Sequence, residues 1–322
     1  MAVDPAGARH ALISFEDPDL AKAFATGCEV KILGYRPHNR AVIAYTPARG
    51  EDGNTVIGKL YRSASKAKRV WQTMRALHAG ADSAWPGIPR PLALAEGHGL
   101  LLMTRLSGPS LREVLDAEPT VTRAGALGRE AAEALTGLHA APADGLRLKV
   151  KTLAAAAARV REQAEHVAQV APLLARDIEG LLDGHARAVR EAAWGECRLL
   201  HGDCTLRHFL QHAGGVAVLD FDRFCLGDPA LDIGYFMAEA HADAVRTGRA
   251  ELRVLAASFL AEYEGRCGER SLADRARVVQ GVVLLSYALR RFRTGPLDFA
   301  LEASSSLPAR LVQEAAGCFA RL

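Results

Sequence analysis

Short apolar runs separated by turn-forming residues open the chain. Residues 29–36 (EVKILGYR) and 40–46 (RAVIAYT) flank the turn PHN, and 55–62 (TVIGKLYR) follows the Gly-rich link PARGEDGN. The β-branched and aromatic content of these runs predicts a hairpin and a third strand. The period then changes. In SKAKRVWQTMRALHAG (65–80), Val70, Met74 and Leu77 recur on one helical face and Gly80 marks a stop. Beyond the Pro-rich link WPGIPRP, the runs PLALAEG and GLLLMTRL predict two more strands. Five strands and one helix describe a small lobe.

LSGPSL (106–111) breaks the strand pattern, and a helix-rich remainder follows. LGREAAEALTGLHA (127–140) and the Ala-rich stretch 150–195 have helical periodicity and composition. RLLHGD (198–203) and VAVLDFD (216–222) are short apolar runs that end in polar residues, as strands do when they deliver side chains to a site. From Leu231 onward the pattern is helical to the end, and no internal repeat occurs. The expectation is an α+β fold: residues 1–105 form an N-terminal lobe with an extension at 1–28, and 106–322 form a larger, mainly helical lobe.

At 322 residues, with 49% hydrophobic and 24% charged residues, the chain has the composition of a globular protein and can bury a substantial core. The first twenty residues lack a basic start leading into an apolar run, and the longest apolar runs are too short to cross a bilayer. The six cysteines are scattered without a C-x-x-C pair, which suits reduced thiols in a cytoplasmic protein.

Charge divides the chain. The net value is only +3, too small to point to nucleic acid, but residues 1–105 carry +5 and residues 106–322 carry −2. Eight acids and four bases fall within 221–265. This asymmetry fits either two differently solvated surfaces or an anionic ligand at the front lobe and a neutral or cationic one at the rear.

Asp203 and Asp220 lie 17 residues apart, each at the end of an apolar run. Two such carboxylates can divide the work of phosphoryl transfer, one accepting the acceptor hydroxyl's proton and the other holding Mg²⁺ against the nucleotide phosphates. Strand-end aspartates are also common in ordinary turns, so spacing alone leaves both readings open.

HGDCTLRHFL (201–210) followed by VLDFDRFCLGDPALDIGYF (218–236) resembles the aminoglycoside phosphotransferase and choline kinase-like family, small-molecule relatives of the protein kinases. VIGKLYR, LLMTRLSGPSL and LGREAAEALTGLHAAP fall in the family's order, so the resemblance spans roughly residues 29–295. It implies a protein-kinase-like two-lobe fold, with a small antiparallel sheet carrying one helix and a larger helical lobe. It further implies Asp203 as catalytic base, Asp220 as chief Mg²⁺ ligand, Lys59 on the nucleotide phosphates, and Asp232 as a buried brace for the catalytic loop. Leu102–Leu106, including Met103 and Arg105, would run past the adenine. Backbone contacts of that kind are sequence-blind, so the donor is ATP or GTP.

Three departures from the family pattern carry expectations of their own. The asparagine of the catalytic loop is His208; imidazole is a poor Mg²⁺ ligand, so His208 is a candidate for metal, phosphate, loop packing or acceptor contact, with Asp222 available as a further ligand. The helix that follows Lys59 contains no acid, and Gln72 is its nearest polar candidate; Asp220 or the phosphates could hold the lysine instead. The first hairpin lacks a Gly-rich loop, and Arg36 and Arg40 beside its turn offer guanidinium forks to phosphate.

The resemblance implies an ATP- and Mg²⁺-dependent O-phosphotransferase for a small hydroxyl compound: an aminoglycoside-like antibiotic, an amino alcohol or a sugar. The acceptor should meet the catalytic loop and the helices of 150–195 and 231–295, where Asp222, Glu239, Asp243, Glu262 and Glu264 could serve a cation. The rival is a catalytically weak or inactive nucleotide-binding pseudokinase that acts through a partner. No nucleic-acid or membrane partner is expected, and the sequence is silent on oligomeric state.

Overall fold

All five strands expected of the first hundred residues are present in the computed structural model: β1 (Cys28–Arg36), β2 (Arg40–Pro47), β3 (Val56–Tyr61), β4 (Pro91–Ala95) and β5 (Leu100–Thr104). They form one antiparallel sheet in the order β1-β2-β3-β5-β4, with helix α1 (Ala64–Ala79) after β3. Alternation explains the burial. Ile43, Tyr45, Val56, Leu100 and Leu102 turn to one face and close over Phe24. The turn of the first hairpin is tight: Asn39 N–H donates to Arg36 C=O at 3.1 Å, and His38 adopts φ 57°. The structure describes residues 22–48, 55–79, 87–143, 145–184, 186, 188, 195–212, 215–269, 271–294 and 306–320. Most of the N-terminal extension, the link at 49–54, the start of WPGIPRP and the end of the Ala-rich stretch lie outside the described residues.

The remainder supplies α2 (Leu111–Ala117), α3 (Val121–Ala140), α4 (Leu153–Ala168), α5 (Pro172–Gly184), α6 (Ala230–Thr247), α7 (Glu251–Cys267), α8 (Leu272–Thr294) and α9 (Leu307–Phe319). The helical stretch expected at 150–195 is broken between α4 and α5, because Pro172 has no N–H with which to continue a helix and suits the first helical position. Gly248 and Gly268, both at positive φ, end α6 and α7. Short strands follow α5: β6 (Arg198–Leu200), β7 (Phe209–His212), β8 (Gly215–Val218) and β9 (Cys225–Gly227), with β6 paired antiparallel to β9.

The chain divides into two compact units. The first runs through Gly108 and adds Ala141–Arg147 and His212–Asp222; the second comprises Pro109–Ala140, Leu148–Gln211 and Arg223–Leu322. Asp220 and Asp222 therefore belong to the sheet-bearing unit although they are distant from it in sequence. Val218 N–H donates to Gly87 C=O at 3.0 Å and His212 Nδ1 bonds Ser107 C=O at 2.9 Å, fixing β8 within that unit.

In the second unit, Phe236 of α6 stacks on Phe259 of α7 with centroids 4.0 Å apart, and Phe209 meets Phe236 edge-on at 5.8 Å. The crossing of α6 and α8 is closer still. A methyl on Gly234 would stand 2.5 Å from Ala276 C=O and 2.5 Å from Val279 Cβ. Gly234→Ala must push the helices apart, and we expect a loss of about 2–3 kcal/mol in urea unfolding; an unchanged midpoint would contradict this packing.

Candidate active site

In the second unit, β6 delivers His201, Gly202 and Asp203 into a loop whose backbone is held by one carboxylate. Asp232, in the first turn of α6, accepts His201 N–H at 2.6 Å, Gly202 N–H at 2.9 Å and His139 Nε2–H at 3.1 Å. His139, on α3, then receives the Tyr263 hydroxyl of α7 on Nδ1 at 2.7 Å. Burial alone would raise the Asp232 pKa, but the hydrogen bond and charge of His139, with the His201 charge and the Gly202 N–H, hold it below the ordinary carboxylate value. The helix N-terminus favours the same ionised form. Asp228, the other acid of GDPALD, caps α6 through Ala230 N–H at 2.8 Å and pairs with buried Arg275 at 2.7 Å.

Gly202 is required by geometry. Its φ is 75°, and an added Cβ would lie 2.2 Å from Arg223 C=O. Only glycine fits that close approach at positive φ. His201 is buried and its Nδ1 accepts Asp203 N–H at 3.3 Å, while His208 Nδ1–H donates to Asp203 C=O at 2.8 Å. The Asp203 carboxylate itself is partly exposed, with the Arg223 guanidinium at 3.7 Å.

In the first unit a second ionic cluster forms. Lys59, on β3 between Val42 of β2 and Leu101 of β5, is 8% exposed and donates to Asp220 at 2.7 Å and to Asp222 at 3.1 Å. Arg40 holds both Asp220 oxygens at 2.8 Å and also bonds Asp222. The Tyr61 hydroxyl donates to Asp222 at 2.5 Å, and Lys66 of α1 lies 3.7 Å from it. Burial opposes ionisation of both aspartates, but Lys59 and Arg40 outweigh it and keep both pKa values down, that of Asp220 far below the carboxylate range. Asp220 adopts φ 64°, a left-handed conformation that aspartate tolerates better than most residues. The acids that hold Lys59 thus come from the loop after β8, and Gln72 is exposed on α1.

The other candidates fall apart from this cluster. Arg36 stands opposite Arg40 in the hairpin register but is exposed and makes no ion pair among the described residues. Met103 is buried within β5, and Arg105 is exposed just beyond its end. Sequence reasoning missed Tyr61, Lys66, His139 and Tyr263; the signal for His139 was a polar residue on the apolar face of a helix.

The second unit contains a cavity of about 310 Å³ bordered by the loop at Gly202, by the start of α4, and by α6 and α8. Glu239 of α6 lines a different cavity with Arg207, Asp243 and Tyr287, and its Oε2 has no hydrogen-bond partner among the described residues. Burial, followed by the Asp243 charge, pushes its pKa up to about 7. In the unfolded chain it ionises near 4.5. The stability tied to this proton is therefore complete below that value and is lost as pH rises through 7, by about 3 kcal/mol. Glu239→Gln cannot ionise, so its unfolding free energy should gain on the natural chain between pH 4 and 8; parallel urea-stability curves would contradict the raised pKa.

A sequence model described as the phosphotransferase enzyme family matches residues 35–275. Comparison with the curated proteins finds no match. Among solved structures, a mutant aminoglycoside 2'-phosphotransferase-IIIa in its GDP complex is 17% identical with a TM-score of 0.62, over 90% of this chain and 91% of that one. A thermostable mutant of the aminoglycoside phosphotransferase APH(4)-Ia, in a ternary complex with ADP and hygromycin B, gives 0.61 at 14% identity over 98% and 97%. A choline/ethanolamine kinase family protein from Mesorhizobium loti gives 0.59 at 16% over 100% and 97%. These structures establish the fold, α+β with the kinase-like two-lobe arrangement. The match of the family model over well more than half of the sequence establishes the rest: the chain belongs to the phosphotransferase enzyme family.

Proposed function

We propose that this chain transfers the γ-phosphoryl group of ATP, with Mg²⁺, to a hydroxyl of a small molecule. The observation that carries the reading is the catalytic loop: a glycine that admits no side chain, a buried ionised aspartate holding two loop amides, and beside them a carboxylate left partly exposed. Such a loop is built to present Asp203. Nucleotide complexes among the similar structures, with GDP and with ADP, support a nucleotide donor.

Asp203 is the base. The acceptor oxygen attacks the γ-phosphorus, the bond to the β–γ bridging oxygen breaks, ADP leaves, and the hydroxyl proton passes to the Asp203 carboxylate and then to solvent. Asp220 and Asp222 are the residues that would hold Mg²⁺. Their ionised oxygens are hard donors that suit it, and two adjacent carboxylates need cations around them, a need that Lys59, Arg40 and Lys66 now meet. When bound, the metal neutralises charge on the phosphates. Lys59 and Arg40 turn from these aspartates to phosphate oxygens, with Arg36 nearby in the hairpin, and the backbone around Met103 and Arg105 receives the base. His208, whose Nδ1 already holds the Asp203 carbonyl, is assigned to positioning that residue.

Purified protein given ATP, Mg²⁺ and a panel of aminoglycosides, amino alcohols, sugars and hydroxy acids should phosphorylate a member of the panel. Asp203→Asn should lower transfer by about 10²–10⁴-fold while retaining nucleotide binding. Transfer that survives in this variant would remove Asp203 from its role. Binding of ATP with no transfer to any acceptor would favour an inactive nucleotide-binding protein.

A further inference from the structure

The cavity beside Gly202 has a chemistry that its occupant must match. Four basic side chains line it among the described residues: Lys151, Arg159, Arg223 and Arg290. The single acid among the described lining residues is Asp232, and its oxygens are already taken by the loop amides and His139. Most of the remaining wall is aliphatic, including Leu153, Val160, Leu200, Val279 and Val282.

The acids that could have served a cationic acceptor are engaged elsewhere. Asp222 bonds Lys59 and Tyr61, Asp243 pairs with Arg112 and Arg246, and Glu262 pairs with Arg266. Glu239 lines the separate cavity, and Glu264 does not border this one. The expectation of a neutral or cationic rear ligand, drawn from the summed charge of 221–265, therefore fails at this cavity. Local charge decides recognition, and here it is basic.

We propose that the acceptor is a hydroxyl compound with an apolar body and a carboxylate, the carboxylate being received by Arg159 of α4 and Arg290 of α8. This assignment rests on the phosphotransferase reading. Arg159 is exposed and makes no ion pair among the described residues, and a guanidinium fork matches the two oxygens of a carboxylate. Lys151 is committed to the loop, donating to Gly202 C=O at 2.9 Å, and Arg223 attends Asp203. A polycationic acceptor would bring its ammonium groups among four basic side chains, and the one acid among the described lining residues, Asp232, is already taken. The volume, about 310 Å³, lies at the small end of small-molecule sites and suits a body of one or two rings.

A matched series tests the charge apart from the chemistry. 4-(Hydroxymethyl)benzoate, 4-(hydroxymethyl)benzamide and 4-(hydroxymethyl)benzylamine share ring and hydroxyl and differ only in charge. Their affinities are measured by NMR titration of the full chain at low salt without nucleotide. The acid should bind about tenfold more tightly than the amine, with the amide between, and the gap should shrink as salt rises. The double variant Arg159→Glu with Arg290→Glu, both at exposed positions and checked for folding by circular dichroism, should reverse the order. A preference for the amine in the natural chain, an order unchanged in the variant, or no saturable binding by any member would overturn the proposal. Transfer from ATP to the bound acid is scored separately: acid binding without transfer upholds the charge assignment and counts against the phosphotransferase mechanism.

Discussion

A buried negative charge organises the second unit. Asp232 is 2% exposed and ionised, which is tolerable only because His201 N–H, Gly202 N–H, His139 and the start of α6 surround it with donors. Each donor is tied to another element. His139 brings α3 and, through Tyr263, α7; the two amides bring β6 and the loop that carries Asp203. Loss of any one leaves a charge in a low-dielectric interior, so the loop cannot drift without cost to the helical core. Fold stability and presentation of Asp203 depend on the same bonds.

The first unit solves a related problem in the opposite sense. Asp220 and Asp222 form a pair of carboxylates that repel each other, and Lys59, Arg40 and Lys66 are gathered against them. The absence of a helix acid for Lys59 is then understandable, since the lysine already has two carboxylate partners. A cluster with more cationic than anionic side chains can also pass part of its positive charge to a polyphosphate, which is the property the proposed donor site requires.

Much of this was legible in the sequence. Alternation and turn residues gave the five strands and α1 almost to the residue, and HGD followed by DFD and GDPALD marked the loop, the ionic pair and its brace. Elements of three or four residues were harder to read: β7 and β9 lack the length to show a period. Partners brought together across long sequence separations were illegible as well. Nothing local in LHA or YEGRC says that Tyr263 meets His139 and His139 meets Asp232, and nothing in 221–265 says that Asp232 is the one acid of that stretch on the cavity lining, with its oxygens already taken. Charge summed along the chain was compatible with a neutral or cationic rear ligand; charge placed in space sets four basic side chains on the cavity beside Gly202.

The central claim is that an ionised Asp232 holds the loop that carries Asp203. The most direct measurement compares the unfolding free energy of the natural chain with that of Asp232→Asn by urea titration from pH 3 to pH 7. Burial opposes ionisation, but His139, the His201 charge and the Gly202 amide outweigh it and lower the folded pKa beneath the unfolded value of 3.8, so the stabilisation should be complete above that value and fade as pH falls through the folded pKa. The account predicts a gap of about 3 kcal/mol at pH 7 that narrows toward pH 3. No gap at pH 7, or one that stays constant across the range, would contradict it.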